Sequence, residues 1–171
     1  MSVSLGVPKN HSTHGRALLI ELRERSTARI EFVLECLEKD KLSGRLKEVD
    51  TGNNAYHLLI IGNYPADFTM TVLLKLLDVC PDGVRGTNNN GSLPLHLSLT
   101  TPRLNSDLIT TLLTACPTAA SKADNQGLIP LFLCCMREDA TADLCKSLCK
   151  AFPFGPATQN KTHSYPLHFA A

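Results

Sequence analysis

Apolar side chains recur in adjacent pairs spaced four residues apart: Val72-Leu73 with Leu76-Leu77, Leu108-Ile109 with Leu112-Leu113, and Leu144-Cys145 with Leu148-Cys149. That spacing puts each set on one face of a helix. Ahead of the stripes stand Thr69, Asn105 and Thr141, residue types whose side chains cap exposed N–H groups. Pro81, Pro117 and Pro153 follow and stop the helices. A shorter apolar segment precedes each of the last two stripes, opening on Pro94-Leu95 or Pro130-Leu131, and Pro166-Leu167 opens another. Proline suits a first helical turn, where its missing N–H costs nothing. Polar runs ending in glycine, such as Thr87-Asn88-Asn89-Asn90-Gly91, come before these and supply positive φ for tight turns. The predicted order is turn, short helix, longer helix, proline.

These features share one phase. The prolines, the Pro-Leu pairs and the paired apolar positions all repeat every 36 residues, with His163 in the slot of Gly91 and Gly127. Gly52-Asn53-Asn54-Ala55-Tyr56-His57 mirrors Gly91-Ser92-Leu93-Pro94-Leu95-His96 at a distance of 39. The organisation that follows is an aperiodic, mobile tail at 1–13, N-terminal capping helices at 14–48, and three repeats at 49–87, 88–123 and 124–159. A further repeat begins at 160–171 without its second helix, a segment expected to fray. Residues 14–50 hold nearly half of all charges, as a cap with one face in water requires. Within the cap, Ala17, Leu18 and Leu22 form one stripe, and Ile30, Val33, Leu34 and Leu37 another.

The order turn–Gly–x–x–Pro-Leu-His, short helix, second helix resembles the ankyrin repeat. Pro94-Leu95-His96 and Pro166-Leu167-His168 match that family's hallmark, and Asp124-Asn125-Gln126-Gly127 its turn. The chain departs from it in its longer period, with the extra residues placed between the two helices, and in Asn54, Leu93, Ile129 and Tyr165, which stand where threonine usually precedes proline. The resemblance implies an all-α solenoid of helix–turn–helix repeats with short hairpin-like loops. It also implies that His57, His96 and His168 hydrogen-bond locally and to a neighbouring turn, with Phe132 replacing the imidazole in one repeat.

Charge and composition narrow the function. Seventeen basic and sixteen acidic side chains leave +1, without the basic excess of a nucleic-acid binder. The start lacks a secretory pattern, and the apolar runs are too short for membrane insertion. Seven cysteines without framework spacing suit reduced thiols in a cytoplasmic or nuclear setting. Phosphate-loop, zinc-protease and nucleophile-elbow motifs are missing. Gly83-Val84-Arg85-Gly86 has the spacing of an RNA-clamping loop and reads better as an inter-repeat turn. Cys145 and Cys149 share a helix face and read as core positions, since Ile109 and Leu113 hold the matching places. A thiol enzyme or zinc protein built on cysteines 134–149 stays open as a second reading.

The leading expectation is a non-catalytic protein–protein interaction module. It requires no metal, cofactor or small-molecule substrate. Its resemblance places recognition on a concave surface made of turn tips and first-helix ends. The tips are Asp50, Thr51 and Asn53; Asn89, Asn90 and Ser92; Asn125, Gln126 and Leu128. Helix ends add Ile61, Thr100, Thr101, Met136 and Arg137. A regulatory arm of a larger enzyme or channel is the alternative.

Overall fold

A computed structural model describes residues 13–23, 30–40, 43–62 and 64–170. The tail expected at residues 1–13 lies outside these except for Thr13, as does Ala171. Among the described residues there is no strand, so the chain is all-α. It divides into two compact units, Met1–Asn89 and Asn90–Ala171. The division falls inside the turn that opens the expected 88–123 repeat.

In the first unit, α1 (Thr13–Arg23) packs on α2 (Ile30–Lys39) and α3 (Ala55–Ile61), and α4 (Ala66–Val79) covers α2 and α3. Short 3-10 helices at Ser43–Arg45 and Pro81–Arg85 complete it. Leu18, Leu22, Val33, Leu37, Tyr56, Leu59, Leu73 and Leu76 fill its core. The cap stripes are close to those expected, except that Leu19 and Cys36 are buried while Ala17, Ile30 and Leu34 are half-buried.

The second unit pairs α5 (Pro94–Ser98) with α6 (Ser106–Ala115), and α7 (Pro130–Cys135) with α8 (Ala142–Ala151). First helix packs on first helix, α5 on α7, and second on second, α6 on α8. Pro117–Ser121, Gly155–Ala157 and Pro166–Phe169 are 3-10 helices. Leu95, Leu99, Ile109, Leu112 and Phe132 are buried. Truncating one such Leu to Ala would cost about 2–5 kcal/mol.

The helix starts follow local chemistry. Asn105 Oδ1 accepts the N–H of Leu108 at 3.0 Å, and Thr141 Oγ1 that of Leu144 at 3.2 Å. Thr69 does not cap. Helix α4 begins at Ala66, behind Pro65, and the Thr69 hydroxyl donates back to the Pro65 carbonyl at 3.1 Å. The stripe on α8 is also narrower than expected. Leu144 and Leu148 are buried, but Cys145 and Cys149 are only half-buried. Gly83 and Val84 are buried within the 3-10 helix Pro81–Arg85, so Gly83–Gly86 is not an open clamping loop.

Candidate functional site

The turns are built alike. Gly52, Gly91 and Gly127 have φ of +69, +72 and +82°, and His163 takes the same conformation at +59°. In one turn the Glu48 N–H donates to the Asn53 carbonyl at 2.8 Å, and the Gly52 N–H to the Glu48 carbonyl at 2.9 Å. Asp124 closes its turn with Leu128 and Gly127 in the same way, at 3.0 Å each. The Asp124 carboxylate also accepts the N–H groups of Gln126 and Leu128, at 2.8 and 2.9 Å. Asn160 Oδ1 does the same for Thr162 and Ser164, at 2.9 and 3.0 Å. Successive turns are joined through the main chain: Asn89 N–H donates to the Thr51 carbonyl, and Asn125 N–H to that of Asn90, both at 2.9 Å.

The histidines hold the short helices to these turns. The Nδ1 atoms of His57, His96 and His168 accept the backbone N–H of Asn54, Leu93 and Tyr165, each at 3.2 Å. With Nδ1 accepting, His96 carries its proton on Nε2, which lies 3.0 Å from the Lys122 carbonyl and 3.2 Å from that of Leu128. Burial holds the His96 pKa below its ordinary value, and Asp124 only partly opposes this. This imidazole is a structural link between a helix and the next turn. In α3 the Asn54 side chain caps directly, accepting the His57 N–H at 3.3 Å. Phe132 replaces the imidazole with a fully buried ring set edge-on to Phe169.

Between turn and short helix each unit has a groove. The first, of about 290 Å³, is lined by Asp50, Thr51, Asn53 and Ile61 together with Leu22, Arg23, Glu48 and Leu58. Glu48 is buried, accepts the Thr51 hydroxyl at 2.6 Å and lies 3.8 Å from Arg23. The second, of about 270 Å³, is lined by Asn90, Ser92, Thr100, Asn125, Gln126 and Leu128, with His96, Leu97, Asp124 and Leu133. Asp50, Thr51, Asn53 and Leu58 occupy the repeat positions of Asn125, Gln126, Leu128 and Leu133. A cleft that shares these four positions is therefore present in each unit. Its buried walls mix apolar and polar groups, Leu58 with Glu48 and Asn53 in the first groove and Leu133 with Ser92 and His96 in the second, and its rim is polar.

Ten of the fourteen expected contact residues line these grooves. Asp50, Thr51, Asn90, Thr100, Asn125 and Gln126 are exposed, and Ile61 and Leu128 half-buried. Two expected tip residues prove to be inside: Asn53 and Ser92 are only 7% and 8% exposed, because the chain turns inward after the positive-φ glycine. Asn53 Oδ1 accepts from Asn88 at 3.1 Å. Asn89 is exposed outside the groove lining, and its amide donates to the Asp50 carbonyl at 2.9 Å.

Thr101, Met136 and Arg137 also fall outside the groove lining. Thr101 is half-buried, with its hydroxyl 3.0 Å from the carbonyls of Ser98 and Arg103. Met136 is 43% exposed at the end of α7. Arg137 is committed internally. Its Nη1 donates to the carbonyls of Leu99 and Thr101 at 3.1 and 2.7 Å, and its other nitrogens grip Asp139 at 2.7 and 2.8 Å. The groove walls that sequence reasoning missed include Leu22, Arg23 and Glu48, which belong to the segment without repeat phase.

Among the described residues no three His, Cys, Asp or Glu side chains are grouped to hold a metal ion, and no helix is long and apolar enough to cross a membrane. In comparison with known proteins, the chain matches no family model and no curated protein.

Proposed function

We propose that this is an ankyrin-type repeat protein that binds another protein, without catalysis, in the grooves between its turns and short helices. The observation that carries the reading is the recurrence of one groove at matching positions of both units. The repeated turn closure, the histidine links and the capped second helices support the same assignment. Apolar and polar groups mixed in the lining, with exposed polar side chains around them, match the ordinary polarity of a non-obligate protein contact patch. Leu58 and Ile61, or Leu97 and Leu133, receive an apolar side chain of the partner; Thr51, Asn125 and Gln126 bond its polar flanks. The charge of +1 gives the partner little long-range steering.

Binding is tested with Ile61→Arg and Gln126→Arg, alone and combined, against a control on α6 outside both grooves, Thr110→Arg. Gln126 is exposed, so its substitution shifts stability by about 0.5 kcal/mol or less, and the fold of the Ile61 variants is checked by circular dichroism. Proteins crosslinked to the parent chain in cell extract are expected to be lost from the groove variants and kept by the control. Equal capture by all of them removes the groove assignment.

A further inference from the structure

Cys134 on α7 is fully buried, and its Sγ lies 3.3 Å from that of Cys145 on α8. Cys145 is half-buried. A disulfide requires about 2.05 Å between the sulfur atoms, so the pair needs to close by little more than an ångström. We propose that Cys134 and Cys145 form an oxidative modification site, in which hydrogen peroxide converts the two thiols to a disulfide that ties α7 to α8.

The chemistry has two steps. The Cys145 thiolate attacks one peroxide oxygen, the O–O bond breaks, and the departing hydroxide takes a proton and leaves as water. Cys145 is then a sulfenic acid. The Cys134 sulfur attacks that sulfur, the S–O bond breaks, and the hydroxyl leaves as a second water with the Cys134 proton. Two thiols are oxidised and one peroxide is reduced to two waters.

Position sets the order of events. Burial pushes the Cys134 thiol up, and its hydrogen bond with Cys145 pushes it further. Cys134 therefore stays protonated and enclosed until its partner has reacted, and the half-buried Cys145 meets the oxidant first. Cys149 is a poorer partner for Cys145. Four residues apart on one helix, the two Cβ atoms stand about 5–6 Å apart, whereas a disulfide needs about 3.8 Å. The bond would fasten the α7–α8 hairpin at its loop end, beside Met136 and the Arg137–Asp139 pair.

The folded protein is treated with hydrogen peroxide, its remaining thiols are alkylated, and it is digested with trypsin. Cleavage after Arg137 and Lys146 separates the two cysteines, so a disulfide holds two peptides together. We expect that linked pair, the loss of two alkylatable thiols, and a higher urea midpoint restored to its starting value by dithiothreitol. The link persists in the Cys135→Ser, Cys149→Ser double variant and is lost in Cys145→Ser, whose fold is checked by circular dichroism. The proposal is overturned if the link runs through Cys135 or Cys149, if Cys145 ends as a sulfinic acid with Cys134 still alkylatable, or if no thiol is lost while the chain is folded.

Discussion

The ring of Tyr56 lies against Gly83 so closely that a Cβ on the glycine would stand 2.7 Å from Cε2. The Tyr56 hydroxyl reaches past it to donate to the Cys80 carbonyl at 2.9 Å. In the next repeat the same two positions hold Leu95 and Ala119: a smaller side chain faces a larger one. Gly83→Ala is expected to destabilise the protein by about 1–3 kcal/mol through overpacking. Adding Tyr56→Leu, which copies the neighbouring repeat, should recover part of that loss. A urea-denaturation double-mutant cycle reads the coupling, and strict additivity would rule out the fit as its cause.

Caps and look-alikes separate cleanly. Asn105→Ala and Thr141→Ala each remove an acceptor for an orphan N–H and should cost about 1 kcal/mol. Thr69→Val is expected to be nearly neutral. It keeps the buried methyl and loses a hydroxyl that bonds back to the carbonyls of Pro65 and Tyr64, interactions that contribute little to a helix. Thermal or urea midpoints of the three variants test the order.

His96 makes stability depend on pH. In the unfolded chain it takes up a proton near its ordinary value of 6.5, whereas burial keeps it neutral to lower pH when folded. Between those two values the unfolded state binds more protons, so stability falls as pH drops through 6.5, by at most about 1.4 kcal/mol per pH unit for one group. The loss stops below the folded value. His96→Phe, which copies Phe132, should flatten the urea midpoint between pH 7.5 and 5.5 relative to the parent. An unchanged slope would show that His96 does not carry it.

His163 holds a left-handed conformation that three other turns give to glycine. His163→Gly is expected to stabilise by about 0.5–1 kcal/mol, the relief of backbone strain less the extra freedom of the unfolded chain. Gly91→Ala should act oppositely and more strongly. Its φ is +72°, and the new methyl would stand 2.5 Å from Asn125 Oδ1. Differential scanning calorimetry of both variants gives the two signs.

Much of this was legible in the residues. Glycines in phase marked the positive-φ turns, and Asn105 and Thr141 marked real helix starts. Thr69 misled because it keeps the phase of a cap while Pro65, just upstream, starts the helix earlier. The tips of the grooves were legible as polar turns, but Asn53 and Ser92 were not distinguishable from their exposed neighbours. Their burial is set by the direction the chain takes after the glycine. Arg137 was expected at a helix end facing a partner. Its carbonyl partners, Leu99 and Thr101, come from the preceding repeat, and no local pattern announces them. Leu22, Arg23 and Glu48 join a groove only through tertiary packing.

The bonds from Asn89 to Thr51 and from Asn125 to Asn90 run from backbone amide to backbone carbonyl. Every amino acid except proline could supply them. Register between neighbouring turns is thus insured against most mutations at the exposed Thr51, Asn90 and Asn125. A lineage could rewrite those side chains, one after another, and change what the groove accepts while the turns stay joined. Selection for a new binding preference and selection for folding would then act on different atoms of the same residues.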